Sequence, residues 1–164
     1  MGGQERMERS VAELTIGVVG PLTVVGADGV DYVPRGRKAK GLLALLAMAP
    51  SHQRSRAWLQ DKLWSDRGQE QGADSLRQTL AEVRRAFRGY KNCLKADRFN
   101  VALDTSHVAI DRGADSHAGA ADETILFEDV DVPDPEFENW LREQRNHFKP
   151  TGTKSGVQDN GTPP

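Results

Sequence analysis

The stretch Leu76-Arg77-Gln78-Thr79-Leu80-Ala81-Glu82-Val83-Arg84-Arg85-Ala86-Phe87 decides how the chain is read. With Leu76 at zero and roughly 100° per residue, Leu80 falls near 40°, Val83 near −20° and Phe87 near 20°. Four apolar side chains thus share one narrow stripe, as in a helix that rests on other helices. The far arc, from about 80° to about 200° by the same stepping, carries Asp74, Arg77, Gln78, Ala81, Arg84, Arg85 and Arg88. Four arginines and a glutamine share it, with the small Ala81 near its middle. The spacing predicts a helix over Ala73 to Arg88, stopped by Gly89.

Such a face suits the major groove of DNA, which is ~12 Å wide and admits a helix whose side chains near the axis are small. Arginine binds guanine bidentately, glutamine binds adenine, and further arginines neutralise phosphates. Only Asp74 and Glu82 could pair with this charge inside the helix, so a solvated face of i,i+4 ion pairs explains little of it.

Upstream of this helix, Leu14 to Val25 holds two β-branched runs broken by Gly20-Pro21, and Val30 to Val33 forms a third after Gly26-Ala27-Asp28-Gly29. These read as a small antiparallel sheet closed by Pro34. Leu42, Leu45, Leu46 and Ala49 recur at i, i+3, i+4 and i+7, giving a first helix over Gly36 to Ala49 that ends at Pro50. Ser55 is placed to cap a second helix running to Trp64. Downstream, Cys93 to Ala96 and Phe99 to Leu103 suit a β-hairpin turning at Asp97-Arg98. The expected fold is α+β: strands, three helices and a hairpin, which a winged helix-turn-helix packs economically.

Charge follows the same division. The chain of 164 residues has a net charge of −2, yet residues 35–98 carry +9, between −3 over residues 1–34 and −8 over residues 99–164. A basic block between acidic flanks suits a polyanion partner. Beyond the third helix, phosphate contacts are expected from Arg56, at the start of the second helix where free N–H groups favour an anion. Arg88 and Arg37 are further phosphate candidates, and Lys95 and Arg98 lie on the hairpin. Arg35, Lys38, Lys40 and Arg54 add charge nearby. Trp58, Trp64 and Phe99 read as core, and the indole N–H of Trp58 is also a candidate phosphate donor. The −8 segment could instead fold back over the arginine face and damp binding.

The domain division expected is a disordered leader over residues 1–10, a DNA-binding domain over 11–104, an acidic extension over 105–149 and a flexible tail over 150–164. Within the extension, Asp104 to Ala121 reads as loop, and Phe137, Trp140 and Leu141 mark one face of a short helix over Glu136 to His147.

Catalytic and metal chemistry find little foothold. The four histidines are scattered, no HExxH, P-loop, GxSxG or GxGxxG pattern occurs, and Asp111, Asp115 and His117 lack a ligand spacing. The lone Cys93 excludes an internal disulfide and reads as a buried small residue rather than a nucleophile. The reading is therefore no enzyme, no cofactor and no metal. The apolar run Gly41 to Pro50 is well short of the ~20 residues that a membrane span needs, and no signal peptide is visible, so a cytoplasmic location is expected.

Gly20-Pro21-Leu22-Thr23-Val24, Arg37-Lys38-Ala39-Lys40-Gly41-Leu42-Leu43-Ala44-Leu45-Leu46-Ala47, Leu59-Gln60-Asp61-Lys62-Leu63-Trp64 and Leu76 to Phe87, in that order, resemble the winged-helix domain of the SARP transcription regulators. That domain is of the OmpR/PhoB type, and the resemblance covers Leu14 to Leu103. Asp129 to Arg145 resembles the stretch after the family's wing. The resemblance implies a bacterial regulator whose third helix reads the major groove and whose wing touches the minor groove. The base-reading positions it implies are Arg77, Gln78, Ala81, Arg84 and Arg85. Implied partners are double-stranded DNA as direct repeats, a second copy of the chain on that DNA, and RNA polymerase. The family's helical activation domain has no counterpart in the Gly/Pro/Thr-rich residues 150–164. The competing reading is a winged-helix module whose arginine face binds a protein.

Overall fold

The first strand, β1 (Leu14–Gly17), buries Leu14 and Ile16 and pairs antiparallel with β2 (Thr23–Gly26), which buries Val24. The computed structural model describes residues 12–113 and 125–148. The expected leader, the tail and the loop residues Asp115 and His117 lie outside them. The connection between β1 and β2 turns at Gly20, whose φ of 79° suits glycine.

Three helices follow. Helix α1 (Arg37–Ala47) is buried along most of its length, and α2 (Arg56–Leu63) turns Leu59 and Leu63 inward. Ser55 caps α2 as expected, its Oγ accepting from the Trp58 N–H at 3.0 Å. Helix α3 (Gln69–Phe87) begins one turn earlier than the sequence suggests, because Gly72 is accommodated within it, against Gln60. Its buried stripe is the expected one, Leu76, Leu80, Val83 and Phe87, together with Thr79. The stop falls at Arg88, with φ 54°, rather than at Gly89.

A second sheet, ordered β3-β5-β4, joins β3 (Gln53–Ser55), β4 (Leu94–Ala96) and β5 (Asn100–Leu103), all antiparallel. The β4–β5 hairpin turns at Asp97, whose carboxylate accepts from the N–H groups of Phe99 and Asn100 at 2.8 and 2.7 Å. Those two N–H groups, Asn100 first, also hold its pKa below the usual value. This matches the expected hairpin, and β3 is the strand that docks it to the start of α2.

The first sheet corrects the sequence reading. Val30 to Val33 contributes only a bridge, Val25 to Asp31, and the third strand is β6 (Val108–Asp111), parallel to β1. The sheet is therefore mixed, not antiparallel. Beyond it, Leu126 bridges Val19, and α4 (Pro135–His147) packs on α2 with Phe137, Trp140 and Leu141 inward. Gly41 in α1 shows how tight this junction is: a Cβ there would stand 2.6 Å from Val132 Cγ2 and 3.1 Å from Leu63 Cδ2. Residues from β1 through α4 thus contribute to one hydrophobic core.

Candidate nucleic-acid interface

The exposed arc of α3 is Asp74, Arg77, Gln78, Ala81 and Arg85, lying between about 100° and about 200° from Leu76. On either side of it the helix is half-buried, at Ala73 and Arg84 on one flank and at Ser75, Glu82 and Ala86 on the other. Four of the five expected base-reading positions therefore reach solvent together: Arg77, Gln78, Ala81 and Arg85. Arg84 is half-buried. It stands about 80° from Leu76, on the flank against the hairpin, where Nη2 lies 3.5 Å from the Leu94 carbonyl.

Of the three acidic side chains in α3, Glu70 lies in the first turn, and the two nearer the arginines, Asp74 and Glu82, could have cancelled their charge. Asp74 pairs with Arg77 one turn on, an exposed contact of the kind that contributes ~0.2–1 kcal/mol at most. Glu82 is used elsewhere: its Oε2 accepts from the Gly36 N–H at 2.9 Å, satisfying the N-terminus of α1. The sequence offers no sign of this tie, because it spans 46 positions.

Beside α3 runs a groove of about 610 Å³ bounded by α2, α3 and the hairpin tip. Ser55, Arg56, Ala57, Gln60, Ala73, Arg77, Arg98 and Phe99 line it, so every ionisable group on its walls is a guanidinium. Arg56 is held by its own backbone N–H, which donates to the Phe99 carbonyl at 2.8 Å, and by Nε, which donates to the Asp97 carbonyl at 2.7 Å. Both acceptors are neutral carbonyls, and the charge of Arg56 also helps hold the nearby Asp97 carboxyl below its usual value. Arg98 projects from the exposed turn, its guanidinium 5.9 Å from the Phe99 ring centre.

Phe99 is the residue that sequence reasoning misplaced. Alternation with Val101 and Leu103 puts it on the buried face of β5, yet it is 68% exposed. The register explains this: pairing with β4 and β3 reaches only as far as Val101 and Asn100, and at the turn the chain leaves the sheet before Phe99 can tuck under it.

The remaining expected phosphate contacts are dispersed. Arg88 sits at the C-terminal end of α3 and Arg37 at the start of α1, both exposed. Lys95 faces Asp104 at 3.5 Å on the body of the hairpin. Trp58 is half-buried between two cations, with the Arg54 guanidinium 3.9 Å and Lys62 Nζ 5.4 Å from its ring centre. It is not among the residues lining the groove. Lys38 and Lys40 serve the fold, Lys38 donating to the Leu63 carbonyl at the end of α2 and Lys40 pairing with Asp129 at 3.3 Å.

The described part of the acidic segment keeps away from the arginine arc. Asp129 takes the Leu22 N–H and Lys40, Asp134 takes Ser65, and Glu136 meets Lys62 at 3.6 Å. Cys93 is buried, and burial first, then the nearby Glu13 carboxylate, pushes its thiol up to about 11. It stays protonated at neutral pH and is a poor nucleophile there. Among the described residues, no group of three or more His, Cys, Asp or Glu side chains is placed to hold a metal ion, and no helix is long and apolar enough to cross a membrane.

No family model matches the chain, and no curated protein matches it. Among solved structures, Mycobacterium tuberculosis EmbR in complex with a low affinity phosphopeptide is similar, at 20% identity and a TM-score of 0.49. The match covers 58% of this chain and 27% of that one, so the chain spans about a quarter of that protein's length.

Proposed function

We propose that this chain is a winged-helix DNA-binding domain of a transcription regulator, with α3 as the helix that enters the major groove and the β4–β5 hairpin as the wing. The observation that carries this reading is the exposed arc Arg77, Gln78, Ala81 and Arg85, where Asp74 is the one described carboxylate paired with an arginine, continuous with a groove whose only ionisable walls are arginines. Arginine and glutamine supply hydrogen bonds that discriminate base edges, and Ala81 lets the helix axis approach the groove floor. Arg56 and Arg98 stand where phosphates would flank the helix. This is a binding role rather than a catalytic one, and the same reading includes a second copy on a repeated site and RNA polymerase as partners.

Selection of duplexes from a random pool by the full chain, followed by titration of an enriched duplex at two salt concentrations, tests it. Contacts with about four phosphates give a slope of log K against log salt near −3.6. A chain that enriches no sequence, and whose affinity for any duplex is indifferent to salt, has another partner for its arginine face.

A further inference from the structure

The groove beside α3 has a feature that base reading by that helix leaves unused. Apolar Ala57, Ala73 and Phe99 line it together with the guanidinium-bearing Arg56, Arg77 and Arg98. A large aromatic ring 68% exposed at a hairpin tip leaves much of its apolar surface in water. A partner that both covers the ring and offers anions to the guanidinium groups matches this pattern, whereas a purely ionic partner would leave the ring unused. Alternating deoxyribose and phosphate along one DNA strand has that composition, apolar sugar faces between single negative charges.

We infer that Phe99 is a backbone-packing residue: its ring lies against a deoxyribose of one strand while Arg56 and Arg98 bind the phosphates on either side. The inference rests on the DNA-binding reading above and adds a non-ionic, sequence-independent contact to it. Three observations converge on it: the exposed ring, the placement of Arg98 and Phe99 on one turn, and the anchoring of that turn to Arg56 through two hydrogen bonds. The anchoring holds Arg56 against the turn that carries Phe99, so that part of the contact is preorganised and loses little freedom on binding.

The test uses the full chain and a duplex enriched from the random pool, with a second duplex of scrambled sequence. Phe99→Ala lowers affinity about tenfold for both duplexes, the loss expected from uncovering one aromatic face, and leaves the salt slope unchanged. Phe99→Leu recovers most of it, and Arg98→Ala instead reduces the slope by about one phosphate's share. Because Phe99 lies outside the core, the thermal melt of each variant stays with that of the parent. If Phe99→Ala binds both duplexes like the parent, the inference fails while the DNA-binding reading stands. A loss confined to the enriched duplex makes Phe99 a base reader and also overturns it. A parent that binds neither duplex removes the reading underneath.

Discussion

Helices α3 and α4 are both amphipathic and both highly charged, yet the fold uses their charges in opposite ways. In α4 and the segment leading to it, polar groups are tied to the protein itself. Asp134 accepts from the Ser65 N–H, the Ser65 hydroxyl and the Glu136 N–H, each at 2.8 Å. Arg145 donates through Nε and Nη2 to the carbonyls of Leu126 and Phe127 at 3.0 and 3.1 Å. In α3 the exposed arc keeps its guanidinium groups toward solvent, with Asp74 the one carboxylate drawn to them among the described contacts. Charge that closes the fold should govern stability and leave binding alone. Charge that the fold leaves outside should govern binding and leave stability alone.

The largest effect that would break this comparison is expected at Asp134, which is 3% exposed. Asp134→Ala strands three donors and should cost about 3 kcal/mol of unfolding free energy, by charge-assisted bonds of ~1.5–3 kcal/mol whose losses overlap. Denaturant unfolding measures it, and a loss below about 1 kcal/mol would show that the ties are idle. Burial pushes this carboxyl up, but the Ser65 hydroxyl and N–H, the Glu136 N–H and the charge of Lys38 together outweigh burial and hold it below its usual range. A folded-state pKa below the unfolded ~3.9 stabilises above that value, and the contribution is lost as pH falls through the folded pKa. Acid unfolding of the parent should therefore steepen below about pH 4, and Asp134→Asn should flatten that limb.

A smaller effect is expected at Gly41, where α1 meets α2 and the approach to α4. Alanine there gains up to about 1 kcal/mol of helix propensity, but its Cβ is forced to within 2.6 Å of a stiff valine methyl. Overpacking of that kind costs ~1–3 kcal/mol, so Gly41→Ala should destabilise by about 1 kcal/mol net. A melt at or above the parent's would mean that the α4 segment yields easily and is no part of the rigid scaffold.

What the sequence made legible follows the same line between local and distant interactions. The helices and the hairpin carry their own signals: periodic leucines, Ser55 at a cap, Asp97 at a turn. The stripe and arc of α3 were legible for that reason, down to Arg77, Gln78, Ala81 and Arg85. Strand β6 was not, because Val108-Ala109-Ile110 sits in a Ser- and Asp-rich stretch and becomes a strand only by pairing with β1, over ninety residues earlier. Arg84 is half-buried rather than fully exposed because an angle of about 80° from Leu76, open on an isolated helix, is partly covered by the hairpin packed beside it. Phe99 lost its place because alternation was extended one residue past the end of the ladder.

The central claim, that the α3 arc is free of the fold and available to DNA, is met most directly by one titration. Arg77→Ala with Arg85→Ala, compared with the parent on an enriched duplex, should weaken binding by at least about 30-fold, the loss of two base or phosphate contacts at ~1–3 kcal/mol each. The melting temperature should stay where it was. Equal affinity of the double variant and the parent, with both folded, would contradict the account.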